Sequence, residues 1–182
     1  ELTSKFIKDN MDNYRPGAVI TDTAGIKSKL LNEIQMFLRD DLDFVGGHPL
    51  AGKESSGFAH ASADIFLGAN YLITPVEKNR EESLLLVEKV IKAIGCRQPV
   101  RMKAEEHDKI IALTSQLPHV IAAALMNCSE SDDTGLFIGG SFKDATRVAQ
   151  INIHLWSELL MENRENVLTQ IELFIDNIDK IK

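Results

Sequence analysis

The residues best suited to chemistry lie in a glycine-rich segment at 46–57, in which His48 stands directly before Pro49. Glycines let the backbone approach a ligand closely, and a proline holds the residue before it in an extended conformation. The unperturbed pKa of histidine, near ~6.5, leaves the imidazole mostly neutral at pH 7 and able to accept a proton from a substrate hydroxyl. His48 is therefore a candidate general base, and a structural hydrogen-bonding role is the alternative.

Two later segments place candidate ligand-binding side chains in or beside short predicted helical runs. His119 follows a proline in the first turn of an apolar helix, where the helix dipole disfavours the cation and favours an anion or carbonyl ligand. Arg147 ends a short helical run with Lys143 and Asp144 after a glycine pair, so it could hold a carboxylate in a bidentate fork that Asp144 orients. Buried capping is the alternative for His119, and a surface ion pair is the alternative for Arg147.

The first hundred residues supply the elements that must position His48. Short apolar runs bounded by glycine or proline predict strands at 18–21, 44–45 and 71–74. Apolar residues at helical spacing predict helices at 26–38 and 81–94 between and after them. Strands that alternate with helices indicate α/β layering and a largely parallel sheet, which binds ligands beyond its strand ends.

From about residue 103 the strand signals disappear and an all-helical part begins. Helices are predicted at 105–115, from Pro118 to Met126 and at 156–181. One long apolar stripe follows the last helix: Leu160, Val167, Leu168, Ile171, Phe174, Ile175, Ile178 and Ile181. Because about 80 residues make a small core, we expect these helices to dimerise. Packing on the chain's own first half is the alternative.

Composition excludes several classes of protein. The 182 residues are 44% hydrophobic and 26% charged, which is typical of a globular protein, and the net charge of −7 argues against nucleic acid as the main partner. Two cysteines fit a reduced, cytoplasmic protein, and we expect no membrane span and no metal site. No phosphate-binding loop or nucleophile elbow supports a kinase or hydrolase. The missing initiator Met suggests a piece of a longer chain.

Six segments, in this order, resemble the prephenate dehydrogenase family, including its arogenate-using relatives. They are residues 22–27, the block at 46–57, Ile73-Thr-Pro75, Leu117-Pro-His119, Phe142-Lys-Asp-Ala-Thr-Arg147, and Trp156 with Glu162-Asn163. The resemblance covers essentially the whole chain. It implies α/β followed by all-α: the C-terminal part of a Rossmann-like NAD(P)-binding domain at 1–102, then a helical dimerisation and substrate domain at 103–182.

The resemblance also implies a reaction, the oxidative decarboxylation of prephenate with NAD or NADP to give 4-hydroxyphenylpyruvate and carbon dioxide. His48 matches the family's base, Arg147 would bind a substrate carboxylate, His119 would orient the substrate, and Glu54 would shape the pocket and its charge. Matching positions at the pocket wall or behind it are Gly25, Lys143, Asp144 and Trp156, and Thr74 and Pro75 fall near the cofactor.

Two departures from the family pattern matter. Gly25 stands where the family usually has a serine whose hydroxyl bonds near the catalytic histidine, so we expect weaker orientation of His48 and a water in the gap. The chain also has no Gly-x-Gly-x-x-Gly fingerprint, which in the family lies upstream of residue 1 here, so we expect these 182 residues alone to bind NAD(P) weakly and to be inactive.

Several alternatives stay open at this point. The chain is either the catalytic portion of a dehydrogenase or a non-catalytic dimerisation or ligand-sensing module that kept the pocket. Prephenate and arogenate differ by a keto group against an amino group, and the sequence does not locate the side chains that contact that group. The choice between NAD and NADP is equally hidden.

Overall fold

The computed structural model describes residues 2–53, 57–129 and 131–182. The chain divides into two compact units, Glu1–Asp108 and Lys109–Lys182. The first is α/β and the second is helical, as the sequence predicts. Strands and helices of the first unit are α1 (Leu2–Asp9), β1 (Val19–Thr21), α2 (Ser28–Gln35), β2 (Asp43–Pro49), β3 (Tyr71–Thr74), α3 (Glu81–Ala93) and β4 (Val100–Arg101), and α4 (Ala104–Ile111) begins in it.

The four strands form one sheet in the order β1-β2-β3-β4. Strand β2 is parallel to β1 and antiparallel to β3, and β3 is parallel to β4. The sheet is therefore mixed, because β3 reverses direction beside β2, whereas the strand-helix alternation predicted mostly parallel pairing. Because β1 and β2 are parallel, their carboxyl ends point to the same edge of the sheet; β1 ends at Thr21, opposite Val45, and β2 continues to Pro49.

Helices cover both faces of this sheet because successive strand residues point to opposite sides. Phe44 packs with the buried residues of α1 and α2, whereas its neighbour Val45 packs with those of α3. Two core clusters thus form a three-layer arrangement that holds β2 at its centre. The layering follows directly from the apolar pattern of the sequence, and it fixes the position of the residues that follow Val45.

The second unit is built from helices. A π-helical segment, Ala112–Gln116, joins the end of α4 to α5 (Leu117–Asn127), and the later helices are α6 (Gly140–Thr146), α7 (Ile153–Glu162) and α8 (Arg164–Ile181). The 3-10 turn Arg147–Ala149 follows α6. Ala104–Asn127 is continuously helical for 24 residues, long and apolar enough by composition to cross a membrane. Its buried Gln116 is hydrogen-bonded to the protein, as in a core helix.

Two predicted helix boundaries differ from the structure for identifiable reasons. Helix α2 begins at Ser28 rather than Ile26, because the Asp108 carboxylate accepts the backbone N–H groups of Lys27 and Ser28. The predicted helix at 156–181 is two helices separated at Asn163, whose φ of −117° and ψ of 23° are not helical. The buried Asn163 amide donates instead to Gln116 Oε1, at 2.6 Å.

Candidate functional site

His48 lies near the carboxyl end of β2, at the sheet edge where open α/β folds bind their ligands. Its imidazole is half-buried, and Nδ1 is 2.8 Å from Nε2 of His107. Burial, followed by the charges of His107 and Lys27, lowers the pKa of His48 to about 3 against an opposing effect of Asp108. The side chain is therefore neutral at physiological pH, with Nε2 unbonded to any described residue.

A buried ion pair holds Gly47, the residue that precedes His48. Asp22, which follows β1, accepts the backbone N–H of Gly47 at 2.9 Å, and Lys27 donates from Nζ to the carbonyl of Gly47 at 2.6 Å. The same Lys27 ammonium also hydrogen-bonds the Asp22 carboxylate. Asp22 and Lys27 thus fix the N–H and the C=O of one residue, and we call this arrangement the Gly47 clamp.

Lys27 is fully buried and Asp22 nearly so, which makes the Gly47 clamp an interior structure. Burial lowers the pKa of Lys27, and the neighbouring Asp22 carboxylate opposes that shift. A buried ion pair is stable only where hydrogen bonds satisfy its remaining donors and acceptors. Here the backbone of Gly47 and the N–H of Ala24 supply them.

His107 and Asp108 stand behind His48 and are both buried. His107 Nδ1 lies 2.8 Å from the Asp108 carboxylate, which also accepts the two N–H groups at the start of α2. Burial raises the pKa of Asp108, but the hydrogen bonds from His107, Ser28 and Lys27 together lower it below its usual value. Asp108 is therefore an ionised acceptor in a nearly dry environment.

His107 and Asp108 do not stand out in the sequence, because Glu105-Glu-His-Asp108 resembles a polar helix start. One signal was present: His107 lies four residues before Ile111, and residues four apart share a helix face. Ile111 is buried, so this face points inward and carries a histidine into the interior. A polar side chain on an apolar face indicates either a satisfied core group or a functional one.

In the second unit, His119 and Trp156 stack with ring centroids 3.7 Å apart and planes inclined by 29°. His119 Nδ1 is 2.9 Å from the carbonyl oxygen of Ser115, so Nδ1 carries the proton and donates it there. The π-helical segment ends three residues before His119, and π turns occur frequently at functional sites. Both half-buried rings are thereby held in a fixed orientation.

Arg147 and Lys143 line one cavity of about 530 Å³ together with apolar residues of α5, among them Ala123 and Met126. Ala123 is one helical turn beyond His119, on the same face. Two cations beside an apolar wall suit a ligand that carries carboxylate and hydrocarbon parts. Asp144 is exposed on α6 between the two cations in sequence.

The remaining sequence-predicted positions are less informative. Thr74 is buried at the end of β3, where it pairs with Gly46, one residue beyond the Val45 that lies opposite the end of β1. Gly25 lies in the loop between β1 and α2 and is half-exposed. Glu54 lies outside the described residues.

Comparison with known proteins gives consistent results for both units. Residues 1–100 match the family model described as "Prephenate dehydrogenase, nucleotide-binding domain", and residues 103–182 match "Prephenate dehydrogenase, dimerization domain". Prephenate dehydrogenase of Bacillus subtilis is 31% identical over 90% of this chain and 45% of its own length. Cyclohexadienyl dehydrogenase of Zymomonas mobilis is 32% identical over 90% of this chain and 57% of its own length.

A solved structure, prephenate dehydrogenase from Aquifex aeolicus in complex with hydroxyphenyl propionate and NAD+, superimposes with a TM-score of 0.87 at 32% identity. The match covers 98% of this chain and 63% of that one. The chain thus spans about half the length of the curated relatives it matches.

Proposed function

The chain belongs to the prephenate dehydrogenase family, and from this premise we propose that it supplies the base and the substrate-binding side of a prephenate dehydrogenase. The observation that carries the proposal is the environment of His48: a neutral imidazole at the carboxyl edge of the sheet, with one nitrogen hydrogen-bonded and the other open. A base for a substrate hydroxyl must be unprotonated and must have an open nitrogen, and His48 meets both conditions.

The nicotinamide cofactor fits the edge formed by the carboxyl ends of β1 and β2, and the loop after β1, residues 22–27, is the described segment that would border it. When bound, this cofactor accepts the hydride that leaves the ring carbon bearing the hydroxyl. The parallel pairing of β1 and β2 supports this location, since open α/β sheets bind nucleotides beyond the carboxyl ends of their parallel strands.

His48 Nε2 takes the hydroxyl proton as positive charge develops on that ring carbon, and a carbonyl forms. The carbon–carbon bond to the ring carboxylate then breaks, its electron pair restores the aromatic ring, and carbon dioxide leaves. The phenolate oxygen that results takes a proton back from His48. Arg147 holds a substrate carboxylate, and His119, steadied by Trp156, orients the substrate. We keep Glu54 as a pocket residue on the family resemblance alone.

We further propose that the protein is a cytoplasmic homodimer joined through the C-terminal helices. The exposed apolar side chains on α8 and the match to a dimerisation domain support the dimer. Both cysteines are free thiols, which suits a reducing compartment.

An assay of the full-length protein tests the proposed reaction. Formation of NADH or NADPH is followed for four pairs of reactants: prephenate or arogenate, each with NAD+ or NADP+. We expect turnover of prephenate, and His48→Asn should lower kcat on the order of 10²–10⁴-fold. His60→Asn, at an exposed position, is the matched control. Absence of turnover with all four pairs, together with clean dimerisation and ligand binding, would establish the non-catalytic module instead.

Arogenate is the second candidate substrate, because the resemblance of the sequence includes the arogenate-using relatives of the family. Higher kcat/KM with arogenate than with prephenate would select it.

We also propose that these 182 residues alone bind NAD+ weakly. Isothermal titration of the 182-residue chain should detect no tight NAD+ binding, and micromolar affinity would refute this proposal.

A further inference from the structure

With His107 neutral, the hydrogen bonds around its ring permit one arrangement of protons. Asp108, as a carboxylate, can only accept, so the ring nitrogen of His107 that lies 2.8 Å from it, Nδ1, carries a proton. A neutral imidazole has one donor and one acceptor nitrogen, so Nε2 of His107 is an acceptor. His48 Nδ1, 2.8 Å from that acceptor, must then be the donor, and the lone pair of His48 is on Nε2.

The carboxylate at the end of this series is itself held in place. Backbone N–H groups of Lys27 and Ser28 each donate to it at 2.8 Å, one to each oxygen. These donors are fixed by the start of α2, and they keep Asp108 ionised and oriented toward His107. Asp108, His107 and His48 thus form a series in which each member determines which nitrogen of the next is protonated.

We propose that His107 and Asp108 are positioning residues that hold His48 in the tautomer with its basic lone pair on Nε2. The inference rests on the proposed function, in which Nε2 takes the hydroxyl proton. After that transfer His48 is a cation, and His107 Nε2 continues to accept its Nδ1–H. The Asp108 carboxylate, beyond His107, stabilises that cation. We call Asp108, His107 and His48 the histidine relay. Before the proton transfer, the histidine relay orients the lone pair of His48, and after the transfer it stabilises the positive charge on His48.

Nitrogen NMR of the full-length protein labelled with ¹⁵N-histidine tests the proton positions without any assay of turnover. At neutral pH the ring signals of His48 and His107, assigned with His48→Asn and His107→Gln, should both show a protonated Nδ1 and an unprotonated Nε2. A protonated Nε2 on either ring would overturn the proposal. This measurement does not depend on the reaction. If the tautomers are as expected and the protein shows no turnover, the proposed function is refuted and the histidine relay is not.

Two substitutions of His107 then connect the tautomer to the rate. His107→Phe removes the acceptor, so His48 should become a mixture of tautomers, and kcat should fall about tenfold or more while KM for prephenate changes little. In His107→Gln the side-chain oxygen can accept from His48 Nδ1–H, so most of the rate and the Nδ1–H signal of His48 should return. Equal losses of kcat in both variants with the His48 tautomer unchanged would contradict the positioning role.

Discussion

Burial of His48 has a consequence for stability that requires no knowledge of the reaction. The pKa of His48 is about 3 in the folded protein, whereas a histidine in the unfolded chain has its ordinary value of 6.5. Between these values the unfolded state binds one more proton than the folded state, so the free energy of unfolding rises with pH and levels off above 6.5. Below pH 6.5 the folded state is progressively disfavoured.

We therefore expect acid destabilisation to weaken in His48→Asn. Urea denaturation of the full-length protein at pH 5 and pH 7 should show a smaller loss of unfolding free energy in the variant, by on the order of 1 kcal/mol. His60→Asn, exposed on a short 3-10 turn, serves as the control. Identical pH dependence in wild type and His48→Asn would show that His48 titrates normally in the folded state.

Gly25 gives the second prediction at the scale of single residues. The family resemblance implies a serine hydroxyl at this position that bonds near the catalytic histidine. Gly25→Ser should therefore raise kcat by a few-fold, which corresponds to a hydrogen bond of about 1 kcal/mol. The φ angle of Gly25 is not in the left-handed region, so the backbone conformation at this position is compatible with a side chain. Gly25→Ala is the matched control that adds the same carbon without the hydroxyl. An unchanged kcat in Gly25→Ser would contradict the expectation.

At the scale of elements, the Gly47 clamp requires close backbone approach between β2 and its neighbours. A Cβ on Gly47 would lie 2.8 Å from the carbonyl oxygen of Asp22 and 2.8 Å from the hydroxyl of Tyr71. Gly47→Ala should therefore lower the free energy of unfolding by about 1–3 kcal/mol, the usual effect of overpacking, and lower kcat by displacing His48. Chemical denaturation and steady-state kinetics measure the two effects.

Gly52→Ala is the matched control, because a Cβ there meets nothing within 4 Å. That variant should be neutral or stabilised by about 0.4–1 kcal/mol, since alanine reduces the entropy of the unfolded chain. A Gly47→Ala protein as stable and active as Gly52→Ala would show that the backbone of β2 is free to shift and that the Gly47 clamp has no positioning effect.

The elements also show how far local sequence determines structure. Alternating strands and helices, the strand at Tyr71–Thr74 and the helix at Glu81–Ala93 follow from apolar periodicity and nearby glycine or proline, so the sequence predicts them closely. The start of α2 depends on Asp108, a residue 81 positions away from Lys27, and the break at Asn163 depends on Gln116. No local pattern contains such contacts.

The candidate site divides in the same way. His48 and His119 are identifiable because each stands beside glycine or proline at the end of an element, and Arg147 because it closes the short run that follows the glycine pair at 139–140. His107 and Asp108 are not, because their importance comes from the packing of α4 near β2, which orders two rings and a carboxylate in series. Chemistry that depends on a pair of distant elements becomes visible only in the folded chain.

For the molecule as a whole, the net charge of −7 does not describe the surface that a substrate would meet. Lys143 and Arg147 face one cavity of the helical unit and make it locally cationic. Screening limits the reach of the other charges to about 8–10 Å at physiological salt, so an anionic substrate in this cavity interacts mainly with these two side chains. Local arrangement therefore outweighs total charge in substrate binding.

Assembly is the remaining property of the whole molecule, and α8 carries its prediction. Leu168 and Ile175 are seven positions apart on one side of this helix, and 42% and 52% of their surfaces are exposed. Burial of such side chains against a second copy stabilises a dimer by roughly 25 cal/mol per Å² of apolar surface. Ile175→Glu would place a charge without a partner in that interface, at a cost of several kcal/mol.

Sedimentation velocity of the full-length protein at micromolar concentration should show a dimer for wild type and a monomer for Ile175→Glu. Asn177→Glu introduces the same charge two residues along α8, about 200° around the helix and therefore on its other side, and should remain dimeric. Dimers in both variants would place the interface elsewhere on the molecule, and monomers in both would indicate that added charge alone dissociates it. Only the difference between the two sides of α8 supports assembly through this helix.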